Sequence, residues 1–258
     1  MYTVPFFPKC AEIERRYDPA VLSGRAGRRY IRWLLSDANA IPHLESGEID
    51  LLLRRVRGLL SENTSRLCKY SGAERVGVML DRARLHLLEA GVAGAAGDRT
   101  SHKKHLIASR ALTDAAKRRA FSGSVSYAGK LDVLAVQSEA NLRYVEAALD
   151  GLIEGPDELK EALTWAGIAA HDLWRMADYL EAEPARGLGA WLEAEALIVE
   201  HRMIKAGYDF KSRTGRPLDK ASAKLRAARA TMERIGDATL ARRIPRTLAA
   251  LQEELAGD

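Results

Sequence analysis

Apolar residues recur along most of this chain three or four positions apart, the spacing that places them on one face of an α-helix. Ile49, Leu52, Leu53, Val56, Leu59 and Leu60 form the first such stripe, and Val76, Met79, Leu80, Ala83, Leu87 and Ala90 the second. A longer stripe runs through Leu131, Leu134, Ser138, Leu142, Val145, Leu149 and Leu152, followed by Leu159, Leu163, Ala166, Ala170, Leu173, Met176 and Leu180. Two more lie in the last quarter: Ala221, Leu225, Ala228 and Met232, then Leu240, Ile244, Leu248, Leu251 and Leu255. No segment alternates with period two for long enough to require a strand, so the expected fold is all-α.

Helix breakers separate the stripes. They are Ser71 with Gly72, Gly97 with Asp98, the "FSGSVSYAG" stretch at 121–129, Gly155 with Pro156, Glu183 with Pro184, "SRTGRP" at 212–217, and Gly236 with Asp237. Pro156 and Pro217 suit a first helical turn, where a missing N–H leaves no bond unmade. Asp98, Asp157 and Asp237 suit helix starts, as caps or as charges complementing the helix dipole. Pro245 should kink the last helix or mark its true start. The pattern predicts eight to ten helices of about two to seven turns, joined mostly by short loops. Short connections make neighbours antiparallel, giving stacked helical hairpins as a bundle or a solenoid. Residues 1–45 read as an N-terminal helical segment that packs on the rest or reaches outward. Residues 46–258 read as the helical-hairpin domain, with a sub-boundary at 121–129.

Composition supports this reading. Of 258 residues, 47% are hydrophobic but only 6% aromatic, so the core is built from Ala and Leu, which favour helix. No run of 18 apolar residues occurs and the N-terminus lacks a basic-then-apolar leader, so neither a membrane span nor a secretory signal is expected. Only Cys10 and Cys68 are present, which fits a reducing cytoplasm. The net charge of +5 conceals a segregation: residues 1–130 carry a net +10, residues 131–200 a net −11 and residues 201–258 a net +6. An acidic middle between basic ends implies docking of the ends onto the middle, or separate cationic and anionic partners.

Ala221, Leu225 and Ala228 form a small-large-small triplet on one helix face, and "ERIGDATLAR" follows with a Gly-Asp turn. Small residues admit a neighbouring helix closely, and the Leu fills the space between them. This resembles the second helix of a tetratricopeptide repeat. "GAWLEAEALIVEHRM" resembles a first helix, with Trp191 and Ile198 at the large positions. The resemblance spans about residues 187–251. It departs from the family where about fourteen extra residues stand between the two helices, and where Ala194 and Glu195 replace the usual Leu-Gly pair. It implies a concave surface that binds a protein or peptide, and no catalysis.

Basic clusters are the main candidate contact sites. In "DRTSHKKHLIASRALTDAAKRRA", Ala108, Leu112 and Ala115 read as the buried face and Lys103, Arg110 and Lys117 as an opposed cationic stripe. Lys104, Arg118 and Arg119 stand close by. Such a stripe suits phosphates or an acidic partner. In the "GYDFKSRTGRPLDK" insertion, Tyr208 and Phe210 interleave with Lys211, Arg213 and Arg216, a mixture able to stack a base and hold a phosphate. "RAGRRYIRW", with Arg25, Arg28, Arg29 and Arg32, is a third cluster. On the acidic side, Glu139, Glu146 and Asp150 share one helical side and could take a cation or a basic partner.

Catalytic motifs are absent: there is no GxSxG, P-loop, GxGxxG or HExxH. His102 and His105 lack a nearby third metal ligand. His171 and Asp172 on one helix, with Glu195, Glu200 and His201 on the next, could build a metal site, but Glu-xx-His pairs are missing and His201 reads as a core histidine. The leading expectation is a cytoplasmic, non-enzymatic helical interaction module without cofactors, binding a protein or peptide, as an adaptor or as one subunit of a larger assembly. The alternative is a nucleic-acid-binding helical subunit without sequence-specific readout, since no helix-turn-helix signature is present. A lesser alternative is an all-helical metal-dependent enzyme using His171, Glu195 and His201. The oligomeric state stays open.

Overall fold

The computed structural model describes Arg54 and residues 71–153, 156–208, 216–236 and 238–256. The stripe at Ile49–Leu60, the arginines at 25–32, both cysteines, Phe210, Lys211 and Arg213 lie outside the described residues. Within them the chain forms seven helices and no strand. They are α1 Gly72–Ala95, α2 Arg99–Ser122, α3 Tyr127–Leu149, α4 Pro156–Tyr179, α5 Glu183–Lys205, α6 Pro217–Ile235 and α7 Ala238–Ala256. Two compact units divide within α2, Met1–Arg119 and Ala120–Asp258.

In the first unit the α1 stripe is buried as expected, from Val76 to Ala90. A second stripe, Val78, Leu85, Leu88 and Val92, is buried as well, so α1 is covered on more than one side. The 96–98 turn is set by Gly97 at φ 74°, with the Asp98 amide returning to the Ala93 carbonyl at 2.9 Å. Asp98 then caps α2, its carboxylate accepting from the Ser101 amide at 3.0 Å. The two helices are tied by Ser109 Oγ, which donates to the Ala83 carbonyl at 3.0 Å.

That hydroxyl also explains a correction. The buried face of α2 is Leu106, Ser109, Thr113, Ala116 and Ala120, not the expected Ala108, Leu112 and Ala115, which are only half-buried. Ser109 and Thr113 satisfy their hydroxyls on backbone carbonyls, Thr113 on that of Arg110 at 2.8 Å. Polar residues therefore sit in the seam, and the true face lies about one residue, roughly 100°, from the apolar stripe.

In the second unit each helix packs on its sequence neighbour from α3 to α7, and α5 also touches α3 and α7. The "FSGSVSYAG" break is shorter than expected: α2 runs to Ser122 and α3 starts at Tyr127, its cap Ser126 accepting from the Gly129 amide at 3.2 Å. Pro156 and Pro217 open their helices as the sequence predicts, and Gly236 closes α6 in the left-handed conformation. Helix α7 runs through Pro245, so that residue does not mark its start.

Helix α5 is the hub. Trp191, Leu192, Ala194, Ile198 and Val199 are all buried, each large side chain contributing about 2–3 kcal/mol. Trp191 Nε1 donates across to Thr247 Oγ1 of α7 at 2.7 Å, and Thr247 donates on to Glu195 at 3.3 Å. On the other side Gly189 meets α4. A Cβ there would lie 2.7 Å from the Trp174 amide nitrogen, so only glycine permits this crossing. Ser138 Oγ donates to the Ala166 carbonyl at 3.0 Å and fixes α3 on α4.

Candidate functional site

Helices α4, α5 and α6 enclose a groove of about 450 Å³, within the range of ligand sites. Each helix contributes one face. Leu163, Thr164, Gly167 and His171 come from α4, Glu193, Ala196, Leu197 and Glu200 from α5, and Lys220, Ala223 and Lys224 from α6. The four α5 positions are spaced i, i+3, i+4 and i+7, so they line up along one side of that helix. Gly167, Ala196 and Ala223 are too small to fill the space between the helices.

The two α5 carboxylates are both about nine-tenths buried, at 9% and 8% exposure, but their surroundings differ. Glu193 accepts from His171 Nδ1 at 2.9 Å and is ion-paired with Lys224 Nζ. Lys224 also lies 4.5 Å above the Trp174 ring, which in turn stacks on His171 at 6.2 Å between centroids. Glu193 is thus neutralised by a cation that an aromatic face holds in place. Glu200, two helical turns along, has Oε1 buried with no hydrogen-bond partner. Such an atom lacks the compensation that burial of a charge demands.

Of the residues considered for a metal centre, His171 and Glu200 line the same groove, while Asp172, Glu195 and His201 do not. His171 pairs with Glu193, whereas Glu195 points to the α7 side, bonding Thr247 and lying 3.7 Å from Arg143. Asp172 is exposed, and His201 is half-buried rather than a core histidine. No group of three His, Cys, Asp or Glu able to hold a metal occurs among the described residues. His102 Nδ1 is taken by the Ala90 carbonyl at 2.7 Å, while His105 meets His86, with 2.8 Å between Nδ1 atoms. That pair can hold only one charge comfortably. His86 is lowered to a pKa of about 4, by burial first and then by repulsion from His105, Arg82 and Lys104.

The basic candidates on α2 do not form the expected stripe. Lys103, Arg110 and Lys117 are half-buried flanks of α2, and its exposed line runs instead through Lys104, Ile107, Ala111 and Arg118, with Arg119 beside it. The roughly 100° rotation of the buried face accounts for the change. Arg216 precedes α6, exposed and 3.8 Å from Asp219, and Tyr208 follows α5 half-buried. A part of the charge segregation is resolved inside the second unit. Arg202 reaches Asp150 at 3.3 Å and Glu254 at 3.4 Å, and Arg234 pairs with Glu183. Of the acidic side of α3, Glu146 is taken by Arg143 at 2.6 Å, which raises the Arg143 pKa further, and Asp150 by Arg202.

Sequence reasoning singled out His171 and Glu200 for another purpose and passed over Glu193, Lys224 and Trp174. The available signal was the spacing Glu193, Ala196, Leu197, Glu200, two acids flanking small and apolar residues on one face. No protein-family profile, no curated protein and no solved structure matches the chain. No helix among the described residues is long and apolar enough to cross a membrane.

Proposed function

We propose that this protein is a non-enzymatic helical interaction module of the cytoplasm, a tetratricopeptide-like stack that receives a peptide segment of a partner in the α4–α6 groove. One observation carries the reading: three consecutive helices leave a mainly apolar groove of about 450 Å³ open between them, while both acids in it are buried. A groove between helices whose exposed lining surface is mainly apolar suits recognition of a side chain or two, with the rest of a segment lying along the surface. The contact of α5 with both α3 and α7 supports a layered stack, as does the burial of Ala221, Leu225 and Ala228.

The test is a random-dodecamer display selection against the full chain, counter-screened on Ala223→Trp. Ala223 is exposed at the groove rim, so the indole fills the groove without entering the core. Peptides that bind the wild type and lose binding to the variant support the reading. Failure to enrich any peptide, or enrichment indifferent to Ala223→Trp, contradicts it.

A second reading, contact with nucleic-acid phosphates along α2, is favoured by the exposed Lys104, Arg118 and Arg119. Binding to DNA or RNA that weakens steeply with salt and is lost in a charge-removed α2 would support it.

A further inference from the structure

We infer that the peptide received by the groove is anchored by a basic side chain, arginine before lysine, whose cationic head pairs with Glu200. This rests on the reading of the groove as a peptide site and adds the chemistry of its ligand.

The argument starts from the asymmetry between two acids on one helix face. Glu193 and Glu200 are buried to the same degree and line the same cavity. Glu193 has its cation supplied by the chain, in Lys224, and a donor in His171. Among the described residues Glu200 has neither; Glu193 Oε2 and Glu200 Oε1 are both buried without a hydrogen bond, but only the former has an ammonium against it. A carboxylate in that position is destabilising while the groove is empty, and becomes favourable when a cation enters. The groove that Glu200 lines also presents Leu163, Ala196 and Leu197, which suit the aliphatic stem of a long basic side chain. Arginine is preferred because its guanidinium is weakly hydrated and binds a carboxylate through two parallel N–H donors. The Lys224–Glu193 pair beside Trp174 shows the same chemistry made internally, a cation on a carboxylate in the same groove.

Lys220 also lines the groove, but it is exposed and makes no ion pair with Glu200. It repels an incoming cation mildly at the rim and sets a preference for an extended side chain that passes it.

The experiment uses the full chain, the groove-binding dodecamers from the display selection, and the variant Glu200→Gln. Each peptide is resynthesised with citrulline, the neutral isostere, in place of its arginine, and affinities are measured by calorimetry. The expected result has three parts. Groove-binding peptides share a basic residue. Citrulline weakens binding to wild type at least tenfold. Glu200→Gln weakens the arginine peptide at least tenfold yet does not discriminate arginine from citrulline. Glu200→Gln alone should also raise the melting temperature, because it removes an unpaired buried charge. A melting temperature below wild type means that an internal cation already serves Glu200, and overturns the inference. Groove-dependent peptides without a basic residue, or indifferent to Glu200→Gln, overturn it while leaving the groove reading intact. Loss of any dependence on Ala223→Trp removes both. Blocked arginine amide binding as tightly as the peptides would make the groove a receptor for a free organic cation, and overturn the peptide assignment.

Discussion

Two glycines inside adjacent helices should respond oppositely to one added methyl group. At Gly189 of α5 a Cβ would stand 2.7 Å from the Trp174 nitrogen, 2.9 Å from its Cα and 3.0 Å from its Cβ. These are backbone atoms and the root of a side chain, so no rotamer change relieves the clash. Restoring ordinary contact requires α4 and α5 to separate by roughly 0.7–1 Å. Overpacking of this kind costs about 1–3 kcal/mol, offset in part by the better helix propensity of alanine, about 1 kcal/mol. Gly189→Ala should therefore lose up to about 2 kcal/mol net, a fall of up to roughly 8 °C in melting temperature. Gly167 of α4 has no atom within 4 Å of its would-be Cβ. Gly167→Ala should gain about 0.5–1 kcal/mol. Both variants are measured by thermal and urea denaturation followed by far-ultraviolet circular dichroism. The packing argument predicts the order Gly167→Ala above wild type above Gly189→Ala. Stability of Gly189→Ala equal to or above wild type refutes the close α4–α5 crossing.

Lys224→Met leaves Glu193 buried with His171 as its remaining partner and should cost about 1–3 kcal/mol in urea titrations. The double variant with Glu193→Gln should be less destabilised than Lys224→Met alone. A double variant worse than that single one contradicts a true pair. Thr247→Val removes the acceptor for the buried Trp191 N–H and should lose about 1–2 kcal/mol in urea titrations, and a variant as stable as wild type would refute that bond's role. For His86, the folded pKa of about 4 lies below the unfolded value of 6.5, so the unfolded chain binds the extra proton in between. Stability should fall as pH drops from about 6.5 to about 4, by no more than about 2 kcal/mol once solvent screening is counted, and flatten below that. His86→Phe should remove this slope, and an unchanged slope would refute the assignment.

The helices were readable because their evidence is local. The stripes of α1, α3 and α4, the cap at Asp98, the prolines at 156 and 217 and the glycine at 236 each act within a turn or two of chain. The face of α2 was misread because Ser109 and Thr113, polar by composition, become seam residues once backbone carbonyls take their hydroxyls. The hub position of α5 was equally hidden, since a helix buried on several sides differs from an amphipathic one only through its neighbours. The groove depends on pairings across more than twenty residues. Nothing in the local sequence separates Glu193, which meets Lys224 and His171, from Glu195, which faces α7 two residues later. The charge segregation was visible, but its internal resolution through Arg202, Lys224 and Arg234 required the fold.

The most direct measurement of the central claim is hydrogen exchange, read by mass spectrometry, on the full chain with and without a display-selected peptide. The account predicts added protection confined to residues 163–171, 193–200 and 220–224, the three segments that line the groove. Protection that falls on α1 and α2 instead, or no peptide-dependent protection in the α5 segment, would contradict it.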